Sequence, residues 1–393
     1  MERSHHSLGE PIFCKFVIHN TGNQVFAFLY RSPSRILGRD HDQEPNFVVT
    51  SSGGGKLRDP APRPCGGTQG TIVYGSVTLP AGQTHTERWL LNQWAEFKSP
   101  GRYRVRAERR LTLAEADPVT GKTSEKPAAF ALALDELSFR VDPASPTERT
   151  AAFEPYLDAI RNAKEPNPAE AVMVITTMPQ PAFLEPLVVM VNAPKPDRWD
   201  RRDALNGLAR LGTAAAWEAI LKIARDGESP ARPGSKDSAA GDPARSHALL
   251  LIEEKADPQF LPALVQMFQQ SPEPRRGEIL RGLGFFQDAR ASQALFDNLH
   301  SAQVADRMNA ILGLKNLGSK DVVPALLAML NDPEAQVRQV ANFALEGLTR
   351  HKVNPAAGPS PQEPGHAAEL RHAWWREHGG SFSPPRPAPC HDW

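Results

Sequence analysis

Cysteine is scarce in this chain, with three in 393 residues, Cys14, Cys65 and Cys390. Three thiols cannot all pair with one another, so at most one internal bridge is possible. That excludes a disulfide framework and leaves the redox compartment open. Net charge is missing too, since 45 Lys and Arg stand against 45 Asp and Glu. A neutral chain lacks the field that nucleic acids and anionic membranes select, so nucleic acid is not an expected partner. No apolar run approaches the roughly 20 residues of a membrane span, so membrane insertion is not expected. The opening MERSHHSLGEP has no basic segment leading into an apolar one. As written, this predicts a cytoplasmic protein.

Catalytic and cofactor signatures are also lacking. Ser51-Ser52-Gly53-Gly54-Gly55-Lys56-Leu57 has the glycines of a phosphate loop. Lys56 is not followed by Ser or Thr, however, and no helical pattern follows, so a plain loop is expected. His366, His372 and His378 recur every six residues. Six residues turn a helix by about 600°, so these side chains point apart and cannot share a metal. Paired zinc-type cysteines, a serine nucleophile motif and a dinucleotide glycine pattern are absent. The expectation is a protein with no cofactor that is not an enzyme.

The chain is long enough for two domains, and its 37 prolines concentrate in segments that read as loops. From Pro11 to Val141 the dominant period is two. Candidate strands are Ile12–His19, Gln24–Tyr30, Asn46–Thr50, Thr71–Leu79, His85–Leu91, Arg102–Arg110 and Phe130–Val141. Short strands with Gly, Pro, Asn and Asp between them predict an antiparallel β-sandwich over residues 1–142. Arg102, Arg104 and Arg106 fall on one strand face and read as a solvated outer surface opposite Tyr103, Val105 and Ala107.

Phe97-Lys98-Ser99-Pro100-Gly101-Arg102-Tyr103 resembles the tyrosine corner of immunoglobulin-like folds, in which the Tyr bonds back to the backbone. The resemblance implies a structural role for Tyr103. Val105 stands where antibody domains carry a cysteine, so the inter-sheet disulfide is not expected. Leu8-Gly9-Glu10-Pro11-Ile12 resembles the opening of bacterial immunoglobulin-like modules, in which a strand precedes the turn. Almost nothing precedes it in this sequence. The expectation is a natural start further upstream, which would make the protein periplasmic or exported.

After a linker and first helix over residues 143–164, the period becomes helical. Arg245, Arg276, Arg307 and Arg338 are each 31 residues apart. Leu264, Leu295 and Leu326 keep the same register, as do Ala263, Ala294 and Ala325, and Phe268, Leu299 and Leu330. Ala171–Ile175, Phe183 and Leu187 match Ala248–Ile252, Phe260 and Leu264. A fixed period of this length with helical spacing inside each unit predicts an α-solenoid over residues 165–350. About six repeat units fit, with a surface insertion at 227–243. Residues 351–380 read as a loop and a capping helix, with Leu370, Ala373 and Trp374 on its apolar stripe. Residues 381–393 read as a disordered tail.

Asp332-Pro333-Glu334 with Val337, Arg338, Ala341, Ala344 and Leu345, and the Leu317-Gly318 helix end, resemble HEAT repeats of the phycobilisome-lyase type. That resemblance implies that the arginine column braces neighbouring units and that second helices line the concave side. The candidate contact residues there are Gln259, Gln266, Gln269, Gln270, Gln293, Asp297 and His300. Side-chain amides with little charge suit a protein or peptide partner better than phosphate. The sequence therefore predicts a non-enzymatic scaffold or protein-binding protein. Two alternatives stand beside it: a lyase-like or chaperone-like protein acting on a tetrapyrrole, and protease inhibition by the β-sandwich.

Overall fold

The computed structural model describes residues 3–30, 46–60, 75–116, 129–161, 169–193, 201–226, 243–271, 275–352 and 366–384. Cys65, Cys390 and most of the 227–243 insertion lie outside them, as do the 353–365 loop, most of the tail and the start of the Thr71–Leu79 strand. The chain forms two compact units, Met1–Ala216 and Trp217–Asp392.

The first unit opens with eight strands among the described residues: β1 His5–Ser7, β2 Phe13–His19, β3 Phe26–Tyr30, β4 Asn46–Ser51, β5 Gly75–Leu79, β6 Thr84–Leu90, β7 Gly101–Glu115 and β8 Ala129–Asp142. One sheet runs β1-β8-β7-β3-β5, and β4 also pairs with β7. β2 and β6 make the second sheet. β1 is a strand that sequence reading missed. It precedes the Gly-Glu-Pro turn and pairs in parallel with β8, His6 opposite Val141. Three residues are too few to display an alternation.

Residues of both sheets share one core: Cys14 and Trp89 from the small sheet, and Phe47, Val49, Tyr103, Val105 and Phe139 from the large one. Alternation explains this set, because β7 turns Tyr103, Val105 and Ala107 inward and Arg102, Arg104 and Arg106 outward. The same parity sends Arg109 inward. There its Nη2 donates to Glu87 Oε1 at 3.2 Å, while the Trp89 indole N–H donates to Glu87 Oε2 at 3.0 Å. A buried charge is tolerated only when it is paired and bonded in this way.

Among the described residues five α-helices follow in the same unit, α1 Pro146–Ala151, α2 Glu154–Arg161, α3 Ala169–Thr177, α4 Leu184–Asn192 and α5 Arg201–Leu211. Ser145 and Glu148 close a capping box at the start of α1. The helices join the sheets through Arg88 of β6, which forms an ion pair with Glu170 of α3. Gln93 adds a hydrogen bond to Thr177.

α6 Ala214–Asp226 leads into the second unit. There follow α7 Pro243–Lys255, α8 Leu261–Gln270, α9 Arg275–Leu283, α10 Ala289–Asn298, α11 Val304–Leu317, α12 Val323–Ala328, α13 Ala335–Thr349 and α14 His366–His378. First helices stack on first helices, α7 on α9 on α11 on α13, and second helices fill in beside them. The columns explain the stacking. Leu264, Leu295 and Leu326 are all buried, as are Leu299 and Leu330. Asp257, Asp288 and Ser319 form another column at the same spacing. Each accepts the backbone N–H two residues on, at the start of the second helix.

Candidate interaction surface

All seven contact candidates, Gln259, Gln266, Gln269, Gln270, Gln293, Asp297 and His300, are exposed. The 31-residue register orders them. Gln266 is equivalent to Asp297, and Gln269 to His300, while Gln293 stands between Pro262 and Pro324. One side of α8, α10 and α12 therefore aligns these positions in rows that are polar in the first two units and continue to Ala328 and Asn331 in the third, and all of these residues are exposed. Three of the seven candidates, Gln259, Gln293 and Asp297, are engaged locally. The Gln293 amide donates to Asp297 at 2.7 Å and the Gln259 amide to Asp257 at 2.9 Å. Among the described residues, Gln266, Gln269, Gln270 and His300 keep their polar groups for solvent or a ligand.

The arginine column lies elsewhere, inside the stack. Arg245 donates to the Ala224 carbonyl at 2.7 Å. Arg276 of α9 pairs with Asp306 of α11, a fully buried carboxylate. Arg307 makes a bidentate pair with Asp332, at 2.8 and 2.9 Å, and also donates to the Ser301 carbonyl. Arg338 donates to the carbonyls of Asp332 and Pro333, both at 2.8 Å. Burial pushes the Asp332 carboxyl up, but the Arg307 guanidinium, the Glu334 N–H and Arg338 together hold it below its ordinary value. Asp332 also accepts the Glu334 N–H, while Glu334 is the N-cap residue and α13 begins at Ala335, beyond Pro333. Asp306 was not singled out in the sequence, and Asp332 only as part of the repeat motif, because the period marks the arginine and not its acceptor.

The other two structural candidates are also bonded. The Tyr103 hydroxyl donates to the Ser99 carbonyl at 2.6 Å, and its ring packs against Phe97 and Phe139. Trp374 stacks on the rings of His351 and of His378, each at 4.9 Å. In α14, Ala368 and Arg371 are buried while Ala373 is exposed. Arg371 ties α14 to α13 through Asn342 and to the His351 carbonyl. Arg371, Trp374, Thr349 and Leu327 border a cavity of about 10 Å³. That is room for about one water molecule and no organic ligand.

Among the described residues no group of His, Cys, Asp and Glu could hold a metal ion, and no helix is long and apolar enough to cross a membrane. Cys14 is buried, and burial raises its thiol pKa to about 11, so it is chemically quiet.

Three solved structures illustrate what this chain is similar to. A designed armadillo repeat protein in complex with a (KR)4 peptide is 16% identical, with 52% of this chain and 95% of that chain covered and a TM-score of 0.29. The complex of CpcE and CpcF of phycocyanin lyase from Nostoc is 16% identical, covering 67% and 94%, with a TM-score of 0.30. Human deoxyhypusine hydroxylase with glycerol is 14% identical, covering 59% and 100%, with a TM-score of 0.24. Similarity at that level carries no argument about activity. No curated protein sequence matches the chain. Residues 261–346, from the start of α8 into α13, match the family model of HEAT repeats.

Proposed function

We propose that this is a non-enzymatic scaffold whose α8–α10–α12 face grips a protein or peptide. The observation that carries the reading is the exposure of equivalent polar positions in successive units, Gln266 with Asp297 and Gln269 with His300. A repeat array stacks such faces into an extended platform. Amides and an imidazole both donate and accept, which suits backbone and side-chain groups of a polypeptide. The HEAT repeats at 261–346 belong to an architecture that commonly presents surfaces of this kind.

In this reading residues 1–142 are an immunoglobulin-like sandwich and 165–350 the solenoid, with 143–164 between them and α14 as the cap. The shared core of the two sheets and the Tyr103–Ser99 bond support the first assignment.

The test uses the full chain as bait beside a variant carrying Gln266→Ala, Gln269→Ala and His300→Ala. These side chains are exposed, so the variant is expected to melt like the parent. A partner held by the parent and lost from the variant is the expected result. Equal retention on both would overturn the assignment of this face.

A further inference from the structure

A second surface lies on the outer side of the large sheet. The strand register sets its cations in rows. Arg102 of β7 stands opposite Arg140 of β8, which stands opposite His5 of β1. Arg104 stands opposite Thr50 on one side and Ser138 on the other, and Lys56 pairs with Thr50 from the adjoining loop. Arg106 stands opposite Val48 and Glu136. These cations are exposed, with the Arg104 side chain 68% accessible.

Local carboxylates offset part of this charge. Arg140 bonds Asp142 at 2.6 Å, and Glu136 stands 4.0 Å from Arg104. Arg102, Arg106 and Lys56 add to the excess. In a chain with no net charge, these five permanent cations, beside the mutually paired Arg110 and Glu108 of the same face, are a local concentration. Like charges directly opposite in a sheet are destabilising, so the Arg102–Arg140 pair carries a cost that an anion would relieve.

The geometry points to an extended acidic polypeptide segment as the occupant, with carboxylates on alternate residues. Arg102, Arg104 and Arg106 are spaced by two strand residues, about 7 Å. A second extended chain repeats its same-side carboxylates at that distance. Thr50 and Ser138 add hydroxyls between the charges. Single-stranded nucleic acid is bound by combining charge with aromatic stacking platforms, and among the described residues these outward positions carry no Phe, Tyr or Trp. This site is separate in sequence from the α8–α10–α12 face and does not rest on it.

The test is fluorescence anisotropy of the full chain with a labelled peptide alternating Glu and Thr, at low and high salt. The comparison probes are a peptide of the same composition with its Glu in one block, oligothymidylate, and vesicles of equimolar phosphatidylserine and phosphatidylcholine. Salt-sensitive binding of the alternating peptide, tighter than of the other three, is expected. Arg104→Ser should weaken it about threefold, and the triple change Arg102→Ser, Arg104→Ser, Arg106→Ser by more than about tenfold. These side chains face solvent, so unchanged far-ultraviolet circular dichroism is expected. The Gln266→Ala, Gln269→Ala, His300→Ala variant should bind the acidic peptide like the parent. Undiminished binding by the triple arginine variant would overturn the proposal. So would equal affinity for the block peptide, or preference for the oligonucleotide or the vesicles.

Discussion

Glu253 in α7 lies with its carboxyl against the α9 backbone at Gly282, where a β-carbon would collide with it. Burial pushes this carboxyl up to about 8, against the pull of Arg281 and with the help of Glu278 and Glu254. Its folded value is thus above its unfolded one. The stability it contributes is fully present below about pH 4.5 and is lost as pH rises through about 8. The melting temperature of the second unit is therefore expected to fall between pH 5 and 9, and Glu253→Gln should flatten that slope. An unchanged slope in the variant, followed by circular dichroism, would refute the assignment. At this scale the sequence was informative about positions and poor about partners. The 31-residue spacing marks Arg276 and Arg307, but their acceptors, Asp306 and Asp332, sit at unrelated offsets. Glu87 looks like an ordinary charge between Thr86 and Arg88. Only the parity of Arg109 with Tyr103, Val105 and Ala107 hints that a buried anion must meet it.

Between elements, the repeat depends on how closely α9 and α11 approach. A β-carbon on Gly313 would stand 2.8 Å from the Leu280 carbonyl oxygen of α9 and closer still to the Leu295 side chain. Helix backbone cannot yield as a flexible side chain does. Gly313→Ala is therefore expected to cost about 1–3 kcal/mol. Gly380 has no atom within 4 Å of such a β-carbon, so Gly380→Ala should stay within about 0.5 kcal/mol. Urea titration of both variants checks the contrast, and equal effects would show that the α9–α11 approach is not constraining. Helices and their stacking were legible because one apolar column repeats three times over. The Asp257, Asp288 and Ser319 caps share that period and were available to the same reading. β1 was not, since its pairing with β8 depends on residues 135 positions away. The polar face was legible as a set of exposed residues. That Gln293 is held by Asp297 and Gln259 by Asp257 needed coordinates.

For the molecule as a whole, the change of period near Asp142 marks a change of element type, whereas the first compact unit continues to Ala216. The sequence shows the first boundary because periodicity is local. The second depends on long-range contacts such as Arg88 to Glu170, which leave no periodic trace. Each unit closes its own core, the first around Trp89, Val105 and Phe139 and the second around columns such as Leu264, Leu295 and Leu326. Chains with more than one such core depart from a single two-state transition. The full chain is accordingly expected to melt in two calorimetric steps. Glu87→Ala removes a buried carboxylate that pairs with Arg109 and accepts from Trp89, and should lower the first unit by about 3–5 kcal/mol. It should leave the other step in place, while Gly313→Ala does the reverse. If a single transition responds to both substitutions, the units unfold together and the division at Ala216 has no thermodynamic meaning. If each substitution moves its own step, each variant's binding losses can be assigned to one unit, separating the sheet face from the helical one.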